Sequence, residues 1–362
     1  MAPERPPIPQ AAVATDAFVT EDYHTGGEPF RIVAPGAIVL AGDDVADKRV
    51  RAIASEDVQR MRALLCSEPR GHADMYGGFV TEPDDEGADL GVLFWHKDGF
   101  STACGHGTIA LGVWAVETGR VATQAGGTRD VRIDVPSGRV TARVSFRDHR
   151  VENVSFVNVP SWVHSRGHEV VTSRGTVQCD IAFGGAMYAV VPASAVGLRV
   201  RAQDLPDIIR TGREIRDALN AADAAPHPSD PRLSGIYGTI FFEDVVDEPK
   251  ALEPFEGLTA DGAVHQRNVV VFSDGEVDRS PCGSGTAARV AMLAAEGRLA
   301  AGDTFVHDSI VGSRFRATVV ATTSVDGREA VVPEVTGTAH RVGTSSFTVD
   351  PRDALVPGFV LR

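Results

Sequence analysis

Two apolar runs stand out along the chain, Asp89-Leu-Gly-Val-Leu-Phe-Trp-His and Asn268-Val-Val-Val-Phe. They are short and continuous rather than alternating, which predicts strands buried on both faces. Each leads toward a second pattern, a turn followed by a helical run. Ile109-Ala-Leu-Gly-Val-Trp-Ala-Val-Glu117 and Ala287-Ala-Arg-Val-Ala-Met-Leu-Ala-Ala-Glu296 both close on Gly-Arg, at Gly119-Arg120 and Gly297-Arg298. Two further helices are amphipathic. In 55–66, Val58, Met61, Leu64 and Leu65 share a face and Ser55 is placed to cap. In 204–220, Ile208, Ile209, Ile215 and Leu219 supply the apolar side, with Asp204 as cap and Pro206 in the first turn. Partly alternating segments that turn at Gly138 and Gly312 predict hairpins.

These elements repeat. Asp22-Tyr-His-Thr-Gly-Gly-Glu-Pro-Phe, read as turn then strand, has a counterpart in Asp180-Ile-Ala-Phe-Gly-Gly-Ala-Met-Tyr. The order strand, helix, strand, cysteine-led helix, strands then occurs twice. The expected fold class is therefore α/β (α+β) in two pseudo-symmetric halves. Residues 17–170 form the half carrying Cys104, and 171–349 the half carrying Cys282, after a loose tail at 1–16. The Pro- and acid-rich segments 224–231 and 247–263 read as surface insertions.

Composition narrows the partners. With 362 residues, 43% hydrophobic and 23% charged, the chain is an ordinary globular one, long enough for two cores. A net charge of −14 argues against nucleic acid and anionic membranes. The four cysteines, Cys66, Cys104, Cys179 and Cys282, are sparse and lack a Cys-x-x-Cys pair, which suits a reducing cytoplasm. No apolar run approaches the length of a membrane span.

The chemistry sits in Cys104-Gly105-His106-Gly107-Thr108 and Cys282-Gly283-Ser284-Gly285-Thr286. A helix start carries unpaired amides and roughly half a positive charge. It should pull a thiol's pKa down from ~8.5 and hold an anion such as a carboxylate. Two such thiols on opposite walls of a cleft suit removal of a proton from one face of a carbon and delivery to the other, without a cofactor. A redox dithiol remains an alternative use. A metal site at His164-x-x-x-His168 is disfavoured because the pair sits in a Gly/Ser/Arg loop. The spacing of the glycines is not that of a dinucleotide fingerprint. Asp278, four residues before Cys282, could pair with a substrate ammonium. His24, Glu28, His72, Asp74 and Tyr76 are further polar residues in tight turns that could line the cleft.

At these motifs, together with Glu68-Pro-Arg-Gly-His-Ala-Asp-Met-Tyr-Gly, Phe183-Gly-Gly and Asp278-Arg-Ser-Pro-Cys, the chain resembles the proline racemase family over nearly its whole length. The resemblance implies a diaminopimelate-epimerase-like fold, each half a curled mixed sheet around a central helix. It also implies that a C-terminal segment, 350–362, can return to the first half. By the same resemblance Cys104 is the base and Cys282 the opposing acid. Gly105, His106, Gly283 and Ser284 cradle the carboxylate, and Asp278 lies near the substrate nitrogen. The substrate is then a small molecule, proline or a hydroxyproline, with no cofactor or metal; a homodimer is left open. Asp74-Met-Tyr-Gly, 88–94 and the tail resemble the trans-3-hydroxy-L-proline dehydratases of this family more than its racemases. Those lyases, however, carry threonine at the position of Cys282. The expected activity is therefore a two-cysteine Cα epimerase or racemase of hydroxyproline or proline, with the dehydratase as alternative.

Overall fold

The computed structural model describes residues 17–122, 126–148, 150–245 and 264–361. The expected tail 1–16 and the whole of the 247–263 insertion lie outside the described residues. Five helices are described: α1 Val45–Ala54, α2 Glu56–Cys66, α3 Gly105–Glu117, α4 Leu205–Ala221 and α5 Gly283–Ala295. They pack on one continuous system of 18 strands.

The local signals act as their chemistry dictates at most ends. Ser55 Oγ accepts from Val58 N and starts α2. Asp204 does not cap α4; its carboxylate instead accepts from Arg199 N at 2.9 Å and Arg201 Nε at 3.0 Å. Asp22-Tyr-His is strand rather than turn. Ala17–Thr25 and Glu28–Val33 form a hairpin around Gly26-Gly27, both at positive φ. Helix α1 follows no repeat signal and was not anticipated; Asp44 caps it by accepting from Asp47 N.

The two halves match in topology. Glu28–Val33 runs parallel to Gly77–Thr81, and Leu90–His96 parallel to Gly126–Val135. In the second half Met187–Pro192 runs parallel to Ile236–Asp244, and Val264–Phe272 parallel to Phe305–Asp308. Each sheet curls around one helix, α3 or α5, and these helices are buried on every side along most of their length. That explains their uniformly apolar sequence: a central helix has no solvent face to make polar.

The expected boundary at 170/171 falls within a hairpin. Trp162–Thr172 is hairpin partner to Gly175–Phe183, so a division at 170/171 would cut that hairpin. Ala339–Thr348 pairs with Ala17–Thr25, and Phe359 pairs with Glu68, both in the first half. The halves also share an edge, where Arg150–Val157 pairs antiparallel with Arg328–Gly337. Leu111 on α3 is fully buried. Leu111→Ala should cost about 2–5 kcal/mol of stability, read by urea denaturation.

Candidate active site

The two helix starts meet. A Cβ placed on Gly105 would lie 2.5 Å from Gly283 Cα, so the backbones touch and only glycine fits at either position. Each cysteine is the N-cap of its helix, and each sulfur accepts an amide hydrogen. Gly107 N lies 3.2 Å from Cys104 Sγ, and Gly285 N lies 3.3 Å from Cys282 Sγ. The duplicated motifs differ in one respect: Cys104 has extended backbone at φ −155°, whereas Cys282 sits at φ 63°. Such a conformation is costly for a residue with a Cβ and tends to occur at functional sites.

Cys104, Cys282, Gly105, His106, Ser284 and Asp278 line one narrow chamber of about 10 Å³. Gly283 contributes backbone against Gly105. The first amides of each helix have no carbonyl one turn earlier to bond, which leaves Gly105, His106, Gly283 and Ser284 N–H groups at the junction. Tyr76, Tyr188, Tyr237, Val270 and Phe272 complete the wall. Tyr188 Oη is 2.7 Å from Ser284 Oγ and 3.8 Å from Cys282 Sγ. Tyr76 Oη pairs with Ser101 Oγ and lies 3.2 Å from Tyr237 Oη.

Burial pushes both thiols well above the usual cysteine range, against the expected lowering at a helix start. The amide bonds from Gly107 and Gly285 pull down, but less than desolvation pushes up, and the charge of Asp278 raises both. Asp278 itself is pushed up to about 6 by burial, opposed by hydrogen bonds from Ser280 N at 2.8 Å and Ser280 Oγ at 2.7 Å. Burial lowers His106 to about 3, so its 3.9 Å approach to Asp278 is not an ion pair near neutral pH. Cys104 Sγ lies 3.4 Å from His106 Nδ1.

Of the five other polar residues flagged in the sequence, only Tyr76 lines the chamber. Glu28 is buried behind it and accepts from Arg279 N at 2.8 Å, tying the first hairpin to the Cys282 loop. Asp74 accepts from Arg279 Nη2 at 2.7 Å. His72 and Asp74 line a separate open cavity with Arg279. His24 lies tilted against His340, ring centres 5.4 Å apart. His164 and His168 lie on the strand Trp162–Thr172, not in a loop, and bond Ser165 and the Pro226 carbonyl. The structure instead brings His96, Asp98 and Glu276 within 4.8 Å of one another. Lys97 Nζ already sits there, 2.7 Å from Asp98 and 3.6 Å from Glu276.

Tyr188 and Tyr237 were missed by sequence reasoning, although the repeat held a signal for each. Gly-Gly-Ala-Met-Tyr188 aligns with Gly-Gly-Glu-Pro-Phe30, and Tyr237-Gly238 with Tyr76-Gly77. Phe30 packs on His106 as Tyr188 packs on Ser284.

Among the described residues no helix is long and apolar enough to cross a membrane. The chain is 46% identical over 344 residues to a 3-hydroxyproline 2-epimerase of Burkholderia multivorans, covering 95% of this chain and 98% of that protein. It is 45% identical over 349 residues to a trans-3-hydroxy-L-proline dehydratase of Azospirillum brasilense, covering 96% and 99%. A solved hydroxyproline epimerase from Agrobacterium vitis, with bound trans-4-hydroxy-L-proline, superposes with TM-score 0.87 at 28% identity, covering 96% of this chain and 97% of that one. The proline racemase family model matches residues 20–360. With paired helix-start cysteines in one chamber and likeness over nearly its full length, the chain belongs to the proline racemase family.

Proposed function

We propose that this protein is a cofactor-independent Cα epimerase or racemase of hydroxyproline or proline, with Cys104 and Cys282 as the acid–base pair. The observation that carries the reading is that both thiols, each at its own helix start, line a single chamber. One thiolate takes the α-proton and the opposite thiol returns a proton to the other face. The products are the inverted amino acid and the thiol–thiolate pair with its proton exchanged. The helix-start amides hold the carboxylate and so favour the negative charge that develops on it when the α-proton leaves.

Asp278 gives the substrate a part in activating the thiols. Its negative charge raises both of them. A ring ammonium bound at Asp278 cancels that charge and lowers the cost of a thiolate. A pH profile tests this. Asp278 must be ionised to hold the ammonium, so kcat/KM should fall about tenfold per pH unit below about 6. Asp278→Asn should lower activity and remove that limb.

The hydroxyl cluster of Tyr76, Tyr237 and Ser101 supports a hydroxylated ring over plain proline. An unsubstituted ring would leave these hydroxyls facing hydrocarbon, whereas a ring hydroxyl can join them. The dehydratase is the second reading, favoured by the Azospirillum brasilense relative. Loss of a C3 hydroxyl after α-proton removal needs one base and an acid for the leaving oxygen, and no second thiol. A panel of proline and hydroxyproline isomers in D2O separates the two. Inversion with α-deuterium uptake marks the isomerase, and a pyrroline that borohydride reduces to proline marks the lyase. Retained configuration and no pyrroline with every isomer would reject both.

A further inference from the structure

Beside the thiol chamber lies a larger cavity of about 370 Å³ between the halves, whose lining includes Arg49, Ser101, Thr102, Asn220, Tyr237 and Ser273. Tyr237 belongs to the walls of both spaces, and Ser101 is bonded to Tyr76 of the inner one. The partition is thus a single layer of hydroxyl-bearing side chains. Ser101 and Tyr76 come from the first half and Tyr237 from the second, so any separation of the halves merges the two spaces.

Arg49 is the unusual group here. It projects from α1, and its guanidinium donates to two carbonyls, Phe100 O at 2.8 Å through Nε and Arg232 O at 3.3 Å through Nη1. Its Nη2 makes no hydrogen bond among the described residues, and no carboxylate there lies within ion-pair distance. Most of its surface is withdrawn from water, and burial pulls its pKa below the usual arginine range. Arg49 and Tyr237 line the same cavity, which places the guanidinium close to the partition. A half-buried guanidinium with one nitrogen unbonded and no described carboxylate within ion-pair distance can take an anion, with Asp98 further along the same cavity wall.

We infer that this outer cavity is a capture site for the substrate, in which Arg49 binds the carboxylate of a small α-imino acid before it passes Tyr237 to the helix starts. The inference rests on the proposed amino-acid reaction and adds to it a second carboxylate site on the path inward. Arg49 then acts on encounter and not on proton transfer. A charged guanidinium–carboxylate contact is the strong kind of hydrogen bond, and the planar fork can make two at once.

The test compares kcat with kcat/KM. Wild-type protein is first assayed with the isomer panel in D2O; absence of any turnover there counts against the proposed reaction itself. With an active wild type, Arg49→Gln should lower kcat/KM by roughly 10–100-fold and leave kcat within about twofold. Glutamine keeps one donor for Phe100 O, so the fold should survive. Arg49→Lys, which keeps the charge but loses the fork, should lower kcat/KM by roughly 3–10-fold and leave kcat within about twofold. An unchanged kcat/KM in Arg49→Gln would overturn the inference. So would an equal fall in kcat and kcat/KM, because Arg49 would then be shaping the inner chamber. Should the glutamine variant not fold, Arg49→Lys decides on its own: a fall in kcat/KM with kcat kept supports the capture site, and an unchanged kcat/KM or an equal fall in both parameters rejects it.

Discussion

Replacing Cys282 with threonine is expected to abolish inversion at Cα, by roughly 10²–10⁴-fold, the usual worth of a positioned acid or base. The reason is geometric. Cys104 can still remove a proton from its own face, but the opposite face then has only an alcohol, far too weak an acid to share a proton with a carbanion on the same footing as a thiol. Wash-in of α-deuterium should survive from one epimer alone, the one whose hydrogen faces Cys104. Cys104→Ala should give the mirror result. If the lyase operates instead, Cys282→Thr should keep pyrroline formation while Cys104→Ala loses it. Inversion that persists at wild-type rate in Cys282→Thr would remove the two-thiol proposal.

Gly283→Ala is expected to be nearly as damaging, without touching a titratable group. The new methyl would sit 2.5 Å from Gly105 Cα and 2.9 Å from Gly105 C. Both are backbone atoms at the start of a buried helix, and neither can swing aside. The two helix starts must therefore separate, and the sulfurs and amides they carry move with them. A displacement of about 1 Å can cost roughly 100-fold in rate. The prediction is a loss of kcat of that size or more, with far-ultraviolet circular dichroism unchanged. A fully active Gly283→Ala variant would mean that close contact of the helix starts is not needed.

The sequence revealed the centre of the molecule better than its margins. Cys104 and Cys282 could be found because two copies of one motif carried them, and duplication makes a buried cysteine informative. That α3 and α5 sit inside their sheets was implied by the family resemblance, and their uniformly apolar sequence fits that place. The misses have physical causes. The strand Ala17–Thr25 carries polar Glu21 and Asp22 at its middle, yet holds its place by pairing with both Glu28–Val33 and the distant Ala339–Thr348. Such a partner, more than 300 residues away, leaves no local trace. Asp204 looked like a cap, but nearby arginines and an amide claimed its carboxylate. The thiol pKa values were misjudged because a helix field can be inferred from a motif, while the depth of burial cannot. Tyr188 and Tyr237 became legible only once the strands they occupy were set side by side with their counterparts.

A space of about 10 Å³ holds at most one water molecule. A five-membered ring needs more room than that, so substrate entry must spread the helix starts, and the same opening bathes both sulfurs in solvent. Under the two-thiol proposal the hydrogen delivered to the second face is then drawn from solvent at each opening. Substrate mixed with the protein in D2O should give inverted product carrying α-deuterium from the first turnover onward.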